Sequence, residues 1–509
     1  MLYKRQMKSA RFFTKIIRKV MQLSFWAMLF CLGPYFQARA QVSDTTSVDT
    51  TGVNSLQSDT TMVKTNTKGR KITLQEAINI ALKRNYQLKQ ADNNLSLAQK
   101  QILGAKANFL PSVSANAGGR RTTGQQFNNT TLKLENHTRN SLNGSISANL
   151  TIFQGFSNII NLRQSEINKR YEKASRQRTR ETVIFNAASG FLQVVLNQQL
   201  LKIARQNLAA AKQQLKQVRG QVQVGSSPSV DLYNQQATVA SDQVNVTQQQ
   251  NALAYSKTQL IGTLQLDPQK SYHFVAPKLS NFNPAPRSLS LSKLINSALN
   301  NRPDLKAQKL QIELNRKSLA LQRANYYPSV SASAGLSSGY YDTYRIPNGK
   351  GGASTVSFGR QFLHQQVNRY FGISVNIPIF NHLNTRLAVQ QAKINYHNSQ
   401  LNYQNIRYTV LQEVRQAYND YQSYAAQLSS TKAALKAARK TFQQQRQRYK
   451  VGAGTLIEVS NATAQYVQAR SNRAEALLRF VFQKKLLNYY LGTIGSQVSV
   501  TNQGYSLNK

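Results

Sequence analysis

Cysteine is almost absent from this 509-residue chain, with Cys31 the only one. A single thiol builds no disulfide framework and no soft metal site, so stability has to come from packing and backbone pairing. Acids are scarce as well, 19 against 65 Lys and Arg, for a formal net charge of +46. Eight of those cations lie in residues 1–40, which hold no acid, leaving 57 against 19, or +38, for the remainder. Long apolar runs are also missing. Past residue 40 no stretch of 18 or more apolar residues occurs, which excludes a bundle of membrane-crossing helices but not a β-barrel, whose strands alternate. The five histidines, His137, His273, His364, His382 and His397, share no metal-ligand spacing. Gly349-Lys350-Gly351-Gly352 lacks the phosphate-loop spacing, and no nucleophile motif or dinucleotide fingerprint occurs. No cofactor, no metal and no enzymatic activity is expected.

The N-terminus carries Lys4, Arg5, Lys8, Arg11, Lys15, Arg18 and Lys19, then the apolar run 20–32 and the small-x-small pattern Ala38-Arg39-Ala40. Residues 1–40 therefore read as a secretory signal peptide, cleaved after Ala40. Phe30 precedes Cys31 where a lipoprotein signal would want a small residue, so lipidation is not expected. An exported protein meets little nucleic acid and much anionic lipid and lipopolysaccharide, so the positive charge is assigned to the latter and no nucleic-acid partner is expected. Residues 41–70, rich in Ser and Thr, read as a disordered leader.

The rest of the chain is duplicated. Leu74-Gln-Glu-Ala-Ile-Asn-Ile-Ala-Leu82 recurs as Leu291-Ser-Lys-Leu-Ile-Asn-Ser-Ala-Leu299, and Ala107-Asn108-Phe109-Leu110-Pro111-Ser112-Val113 as Ala324-Asn325-Tyr326-Tyr327-Pro328-Ser329-Val330, both at an offset of 217. Ile152-Phe153 matches Ile379-Phe380 and Val224-Gly225 matches Val451-Gly452 at an offset of 227. One net insertion of ten residues separates the copies, aligned between Gly118 and Asn149, which predicts a loop there. The copies span residues 71–266 and 289–495, joined by a linker over 267–288 that holds Pro268, Pro277, Pro284 and Pro286, with a tail at 496–509.

Within each copy the periodicity predicts a short helix, a second helix ending at Pro111 or Pro328, two strands, and a long helical hairpin. Thr73-x-x-Glu76 reads as a capping box. Ile146, Ala148, Leu150 and Ile152 alternate with Ser145, Ser147, Asn149 and Thr151, and Phe371, Ile373, Val375, Ile377 and Ile379 with Gly372, Ser374 and Asn376, the pattern of strands with one apolar and one wet face. Beyond them Ile184, Ala187, Phe191, Val194, Leu201, Ala204, Leu208, Ala211, Leu215 and Val218 step by three and four, broken at Gln198. Leu411, Val414, Tyr418, Tyr421, Ala425, Leu428, Leu435 and Phe442 do the same, broken by Lys432 and Arg439. These are coiled-coil seams, in helices of about 68 residues and roughly 100 Å. Gly190 and Ala417 within them predict close helix approach. The breakers Gly225-Ser226-Ser227-Pro228 and Gly452-Ala453-Gly454-Thr455 predict tight turns. Four strands are too few to close a barrel, which needs about eight, so several chains are expected to share one.

Two copies of helix, helix, β-hairpin, long helix, Gly turn and return helix over residues 74–495 resemble the TolC family. The residues that carry the resemblance are Phe109-Leu110-Pro111-Ser112 and Tyr326-Tyr327-Pro328-Ser329 before the strands, and Val224-Gly225-x5-Asp231 and Tyr449-Lys450-Val451-Gly452-x-Gly454-Thr455-x-x-Glu458 at the turns. The resemblance implies a mainly α fold with a small β part: a homotrimer whose long hairpins form an α-barrel and whose β-hairpins share a transmembrane β-barrel. It implies an outer-membrane location with a long periplasmic portion, and a passive export duct of a tripartite efflux or type I secretion system. The partners are a periplasmic adaptor and an inner-membrane pump, either resistance-nodulation type or ATP-driven. Gly225, Gly452 and Gly454 would form the periplasmic tip; Asp231, Glu458 and Tyr449 are the gate candidates; Arg446, Arg448 and Lys450 are candidate adaptor or cargo contacts. Asp231 and Glu458 also lie where an acid caps a helix. Asn234 and Asn461 stand where a second tip acid is often found. Residues 119–140 and 340–368 would be loops facing outside the cell. The competing class is a coiled-coil structural or adhesive envelope protein without a pore, which would need no paired alternating strands.

Overall fold

The computed structural model describes residues 70–128, 132–276, 289–347 and 353–494. The expected signal peptide, residues 41–69 of the leader, residues 277–288 of the linker and the tail lie outside them. In chain order the elements are β1 (Arg70–Ile72), α1 (Leu74–Arg84), α2 (Tyr86–Ala107), β2 (Ser112–Asn128), β3 (Lys133–Gln154), α3 (Ser157–Gln223), α4 (Ser229–Leu264) and β4 (Tyr272–Phe274). The second copy follows with α5 (Leu291–Asn301), α6 (Pro303–Ala324), β5 (Ser329–Tyr341), β6 (Arg345–Pro347), β7 (Ala353–Thr355), β8 (Asn368–Asn376), α7 (Asn384–Lys450) and α8 (Leu456–Tyr490).

The duplication extends to backbone detail. α3 and α7 both have 67 residues, roughly 100 Å at about 1.5 Å per residue. Left-handed residues recur 227 apart: Gly155 and His382, Phe156 and Leu383, Gly225 and Gly452, Gln265 and Gly492. The buried clusters correspond too. Ala81, Leu88, Val183, Ala187, Leu260 and Leu264 form one core with Phe191 and Phe274. Their counterparts Ala298, Leu305, Val410, Val414, Leu487 and Leu491 form another. Gly190 allows the expected close approach, since a Cβ there would come within 3.3 Å of Leu260 Cδ1. The polar break at Gln198 has a use: its side-chain amide donates to the Phe274 carbonyl at 3.0 Å, tying α3 to β4.

Four of the strands form an antiparallel sheet in the order β2-β3-β5-β8. The register puts Val113 opposite Ala148, Ile146 opposite Leu336, and Ala332 opposite Ile373, so one face is apolar. The other holds Ser and Asn, with hydroxyl pairs Ser114–Ser147 at 3.0 Å and Ser331–Ser374 at 2.8 Å. Val113, Ile146, Ile152, Phe371, Ile373 and Val375 of the apolar face are exposed.

Several expectations need correction. Residues 119–140 are mostly strand, because the β2–β3 ladder continues to Asn128↔Lys133. The inserted residues fall in the second copy, where the β6–β7 hairpin and a helical turn over residues 358–365 replace the ladder. That turn is anchored by buried Gln361, whose Oε1 accepts from the Tyr341 amide at 2.6 Å and whose Nε2 donates to the Tyr341 carbonyl at 3.1 Å. The capping box at Thr73 is half formed. Thr73 Oγ1 accepts from the Glu76 amide at 3.3 Å, but the Glu76 carboxylate turns to Arg70 at 2.8 Å. Within the expected linker lies β4, which pairs in parallel with β1, so Arg70, expected in the disordered leader, is strand. Lys432 and Arg439 do not break the second seam. They are exposed beside it, and Thr431 and Ala438 occupy the half-buried positions. Finally, β8 ends at Asn376, short of Ile377 and Ile379; the next residue of β5 would be Pro328, which has no N–H to donate.

Candidate functional site

The hairpin turns are built by identical means. Val224 ends α3 and Gly225, at φ +75°, lets the chain leave it, while the Gly225 amide donates to the Val222 carbonyl at 3.1 Å and the Ser226 amide to Gln221 at 2.8 Å. In the second copy Gly452, also at φ +75°, donates to Tyr449 at 3.1 Å and Ala453 donates to Arg448 at 2.8 Å. This paired 5→2 and 6→1 pattern satisfies carbonyls that the helix end would otherwise leave unpaired. Gly454 differs, being constrained by space: a Cβ there would lie 3.1 Å from Glu458 Oε2 and 3.3 Å from Arg448 Cβ.

Glu458 forms a complete capping box, accepting from the Thr455 amide at 3.1 Å while Thr455 Oγ1 accepts from the Glu458 amide at 3.3 Å. Asp231 stands in the first turn of α4, where its charge complements the helix dipole. Tyr449 joins the two hairpins, its hydroxyl donating to Gln221 Oε1 at 3.2 Å. Burial pushes the Tyr449 pKa up, a hydrogen bond with Ser227 pulls it back, and the nearby Asp231 charge raises it again. Tyr449, Gln221, Ser227 and Asp231 are thus brought together; Glu458 is held apart by its own cap. Of the cations, Arg448 closes its own turn, donating to the Ala453 carbonyl at 3.0 Å and to Gln445 at 3.3 Å. Arg446 lines a groove of about 630 Å³ between the hairpins with Phe442, Gln214, Gln217 and Asp242. Lys450 is exposed at the end of α7.

Sequence reasoning missed Gln221 and a charged belt farther up the helices. Arg302, 3% exposed, pairs with Asp304 at 2.6 Å and with Glu413 at 2.5 Å. Arg178 of α3 lies 3.4 Å from Asp304, 3.6 Å from Glu181 and 4.2 Å from the Tyr489 ring. Burial pushes the Asp304 carboxyl up, but the Arg302 hydrogen bonds and the Arg178 and Arg302 charges outweigh it and hold it below its ordinary range. Burial raises Glu181, with Gln177 and Arg178 only partly offsetting it. The signal was present in the repeat alignment: Arg302, Asp304 and Glu413 replace Asn85, Gln87 and Asn186 of the first copy.

Two helical hairpins, each with one helix of roughly 100 Å, and a sheet with a bare apolar face are the parts of an outer-membrane-channel fold. The chain belongs to the outer membrane efflux protein family, whose model matches residues 77–264 and 294–493. It is similar to outer membrane protein TolC of Vibrio cholerae, 20% identical over 437 residues that cover 86% of this chain and 94% of that one. To TolC of Escherichia coli it is 22% identical over 321 residues, 63% of each chain. Its fold matches the outer membrane channel CmeC of Campylobacter jejuni with a TM-score of 0.71 at 17% identity, covering 85% of this chain and 90% of that one. The protein is accordingly an outer-membrane protein with a long periplasmic helical portion.

Proposed function

We propose that three copies of this chain form a passive export duct, crossing the outer membrane as a shared β-barrel and the periplasm as a helical tunnel. The observation that carries this reading is the pair of open edges on the four-stranded sheet, β2 and β8, beside its exposed apolar face. Unpaired backbone groups in hydrocarbon cost several kcal/mol each, so a sheet of this kind needs its edges closed. The repeat supplies the means. β8 is the counterpart of β3, and β3 already pairs with β5, the counterpart of β2. The same register carried to the next copy sets Asn376 opposite Asn116 and Ile377 opposite Ala115, which extends β8 past the residue where it now stops. Two copies would give eight strands and three would give twelve; the family resemblance favours three. Energy is supplied by an inner-membrane pump, resistance-nodulation type or ATP-driven, engaged through a periplasmic adaptor at the turns around Gly225 and Gly452. Tyr449, with Asp231, holds neighbouring hairpins together at rest; Glu458 contributes there through its cap, and Arg446 and Lys450 offer charge to the adaptor or cargo. Native mass spectrometry of the detergent-solubilised protein tests the assembly: a mass of three chains is expected, and a monomer would overturn it.

A further inference from the structure

On β5 the partner strand β8 reaches only to Ser337, and the helical turn over residues 358–365 takes over the edge beyond it through Gln361 and Tyr341. The same turn lays Phe362 over the apolar face of the sheet. Ser338 Oγ donates to the Phe362 carbonyl, and a Cβ on Gly144, the cross-strand partner of Ser338, would come within 3.0 Å of the tip of the Phe362 ring. Phe358 stacks on Phe362 at 5.1 Å and meets Tyr340 edge-on at 5.4 Å. Phe358 and Leu363 nevertheless stay 48 and 65% exposed. The apolar face thus ends, at the side away from the helices, in a cluster of aromatic rings, the side chains that favour a membrane interface.

Cations stand beside these rings on the same face. Arg121 pairs with Asn140, next to Leu142 on that face, and Arg369 pairs with Leu336. Arg121 lies ten residues past Pro111 and Arg369 ten before Ile379. Ten residues of strand span about 33 Å, or about 25 Å of height at a tilt of about 40°, which is the height of a lipid-facing band. Arg360 is carried by the turn, and all three arginines are exposed. None of them forms an ion pair among the described residues. The described strands and turn hold two acids between residues 112 and 376, outside the helices, and neither serves these arginines. Asp342 accepts from the Asn140 amide at 3.0 Å and from Asn140 Nδ2 at 2.6 Å, and Glu135 belongs to the Ser and Asn face. In the register that closes the sheet between copies, Phe371 comes opposite Arg121 of the next copy. Arg369 is then diagonal to that arginine, about 7–8 Å away along the face. Like charges so placed beside hydrocarbon call for an anion.

We propose that each joint between copies carries, at this rim, a binding site for lipid A, the phosphorylated glycolipid of the outer leaflet. Arg369 and Arg360 of one copy and Arg121 of the next hold its phosphates, and Phe358, Leu363 and Phe371 pack against its acyl chains. Guanidinium groups suit phosphate because their planar fork donates two parallel hydrogen bonds. The rim lies at the end of the sheet remote from the periplasmic helices, which makes the outer leaflet the source of the lipid. The site rests on the assembly proposed above, since the apolar face must meet lipid and β8 must join β2 of the next copy.

Native mass spectrometry of the detergent-purified full chain tests it, with diphosphoryl lipid A or phosphatidylglycerol added at equal concentration. One lipid A retained per joint between copies is expected, with phosphatidylglycerol retained far less. Arg121→Gln, Arg360→Gln and Arg369→Gln together should cut retained lipid A about tenfold, whereas Arg120→Gln, on the Ser and Asn face, should leave it unchanged. Retention at the wild-type level by the triple variant would overturn the site, and so would equal retention of the two lipids by the wild type. Should the triple variant fail to assemble, Arg360→Gln alone, outside the strands, decides: about a threefold loss is expected with the trimer intact, and undiminished retention overturns the site. A trimer that retains no lipid A overturns this site and leaves the assembly standing, while a monomer overturns both.

Discussion

At Gly225 and Gly452 an added Cβ would meet no atom within 4 Å, so their requirement is purely conformational. A side chain in the left-handed region costs roughly 1–2 kcal/mol, and a β-branched one is worse placed there. Gly452→Val should therefore splay the second turn and lower export while assembled protein remains abundant, as read by an efflux assay beside immunoblotting. The gate candidates separate in the same way. Tyr449→Phe with Asp231→Ala removes the contact to Gln221 and the neighbouring charge, and should raise single-channel conductance at unchanged abundance. Glu458→Ala should cost about 1 kcal/mol of cap and leave conductance alone. If all three behave as wild type, the constriction lies elsewhere. The belt makes a prediction about pH. Asp304 is held below its ordinary range, so its contribution is present above the unfolded carboxylate value, about 3.9, and is lost as pH falls through the depressed folded value. Glu181 is raised and has the opposite sign, its penalty appearing only as pH climbs past the ordinary carboxylate range. Asp304→Asn should accordingly flatten the fall in apparent Tm as pH drops below about 4, a comparison best made by differential scanning fluorimetry in detergent.

The sheet is the element on which the membrane assignment depends. Ile373 sits within β8 on the apolar face and is 61% exposed. Ile373→Arg should cost about 2–4 kcal/mol if it meets lipid near mid-bilayer, and assembled protein should disappear from outer-membrane fractions. Ser374→Arg, one residue along and on the Ser and Asn face, should be tolerated. Much of this was legible in the sequence, because period-two alternation and the Gly-Ser-Ser-Pro and Gly-Ala-Gly-Thr breakers act locally. Less legible were features set by distant pairing. The parallel β1–β4 contact joins residues about 200 apart, and Arg302 finds Glu413 across 111 residues. The Thr73 box failed for a related reason: Arg70 competes for Glu76 only once β1 has brought it near. Unequal charge at aligned positions of the two copies would have revealed the belt.

Across the whole molecule, the duplicated chain leaves β2 and β8 as open sheet edges, and covers the α3 seam at Ile167 and Ala174 while the corresponding α7 seam at Ile394 and Leu401 is exposed. The excess of 38 cations outside residues 1–40 then acquires a consequence. Low-dielectric walls focus the field of the groups that line them, so a tunnel lined by many of these cations favours anions. That preference should weaken as salt shortens the Debye length toward about 3 Å at 1 M. Both expectations meet in reconstitution of the purified protein into a planar lipid bilayer. Discrete, uniform conductance steps with anion preference at low salt are expected, whereas protein that inserts as assembled trimers yet never conducts, even with Tyr449 and Asp231 replaced, would contradict the duct itself.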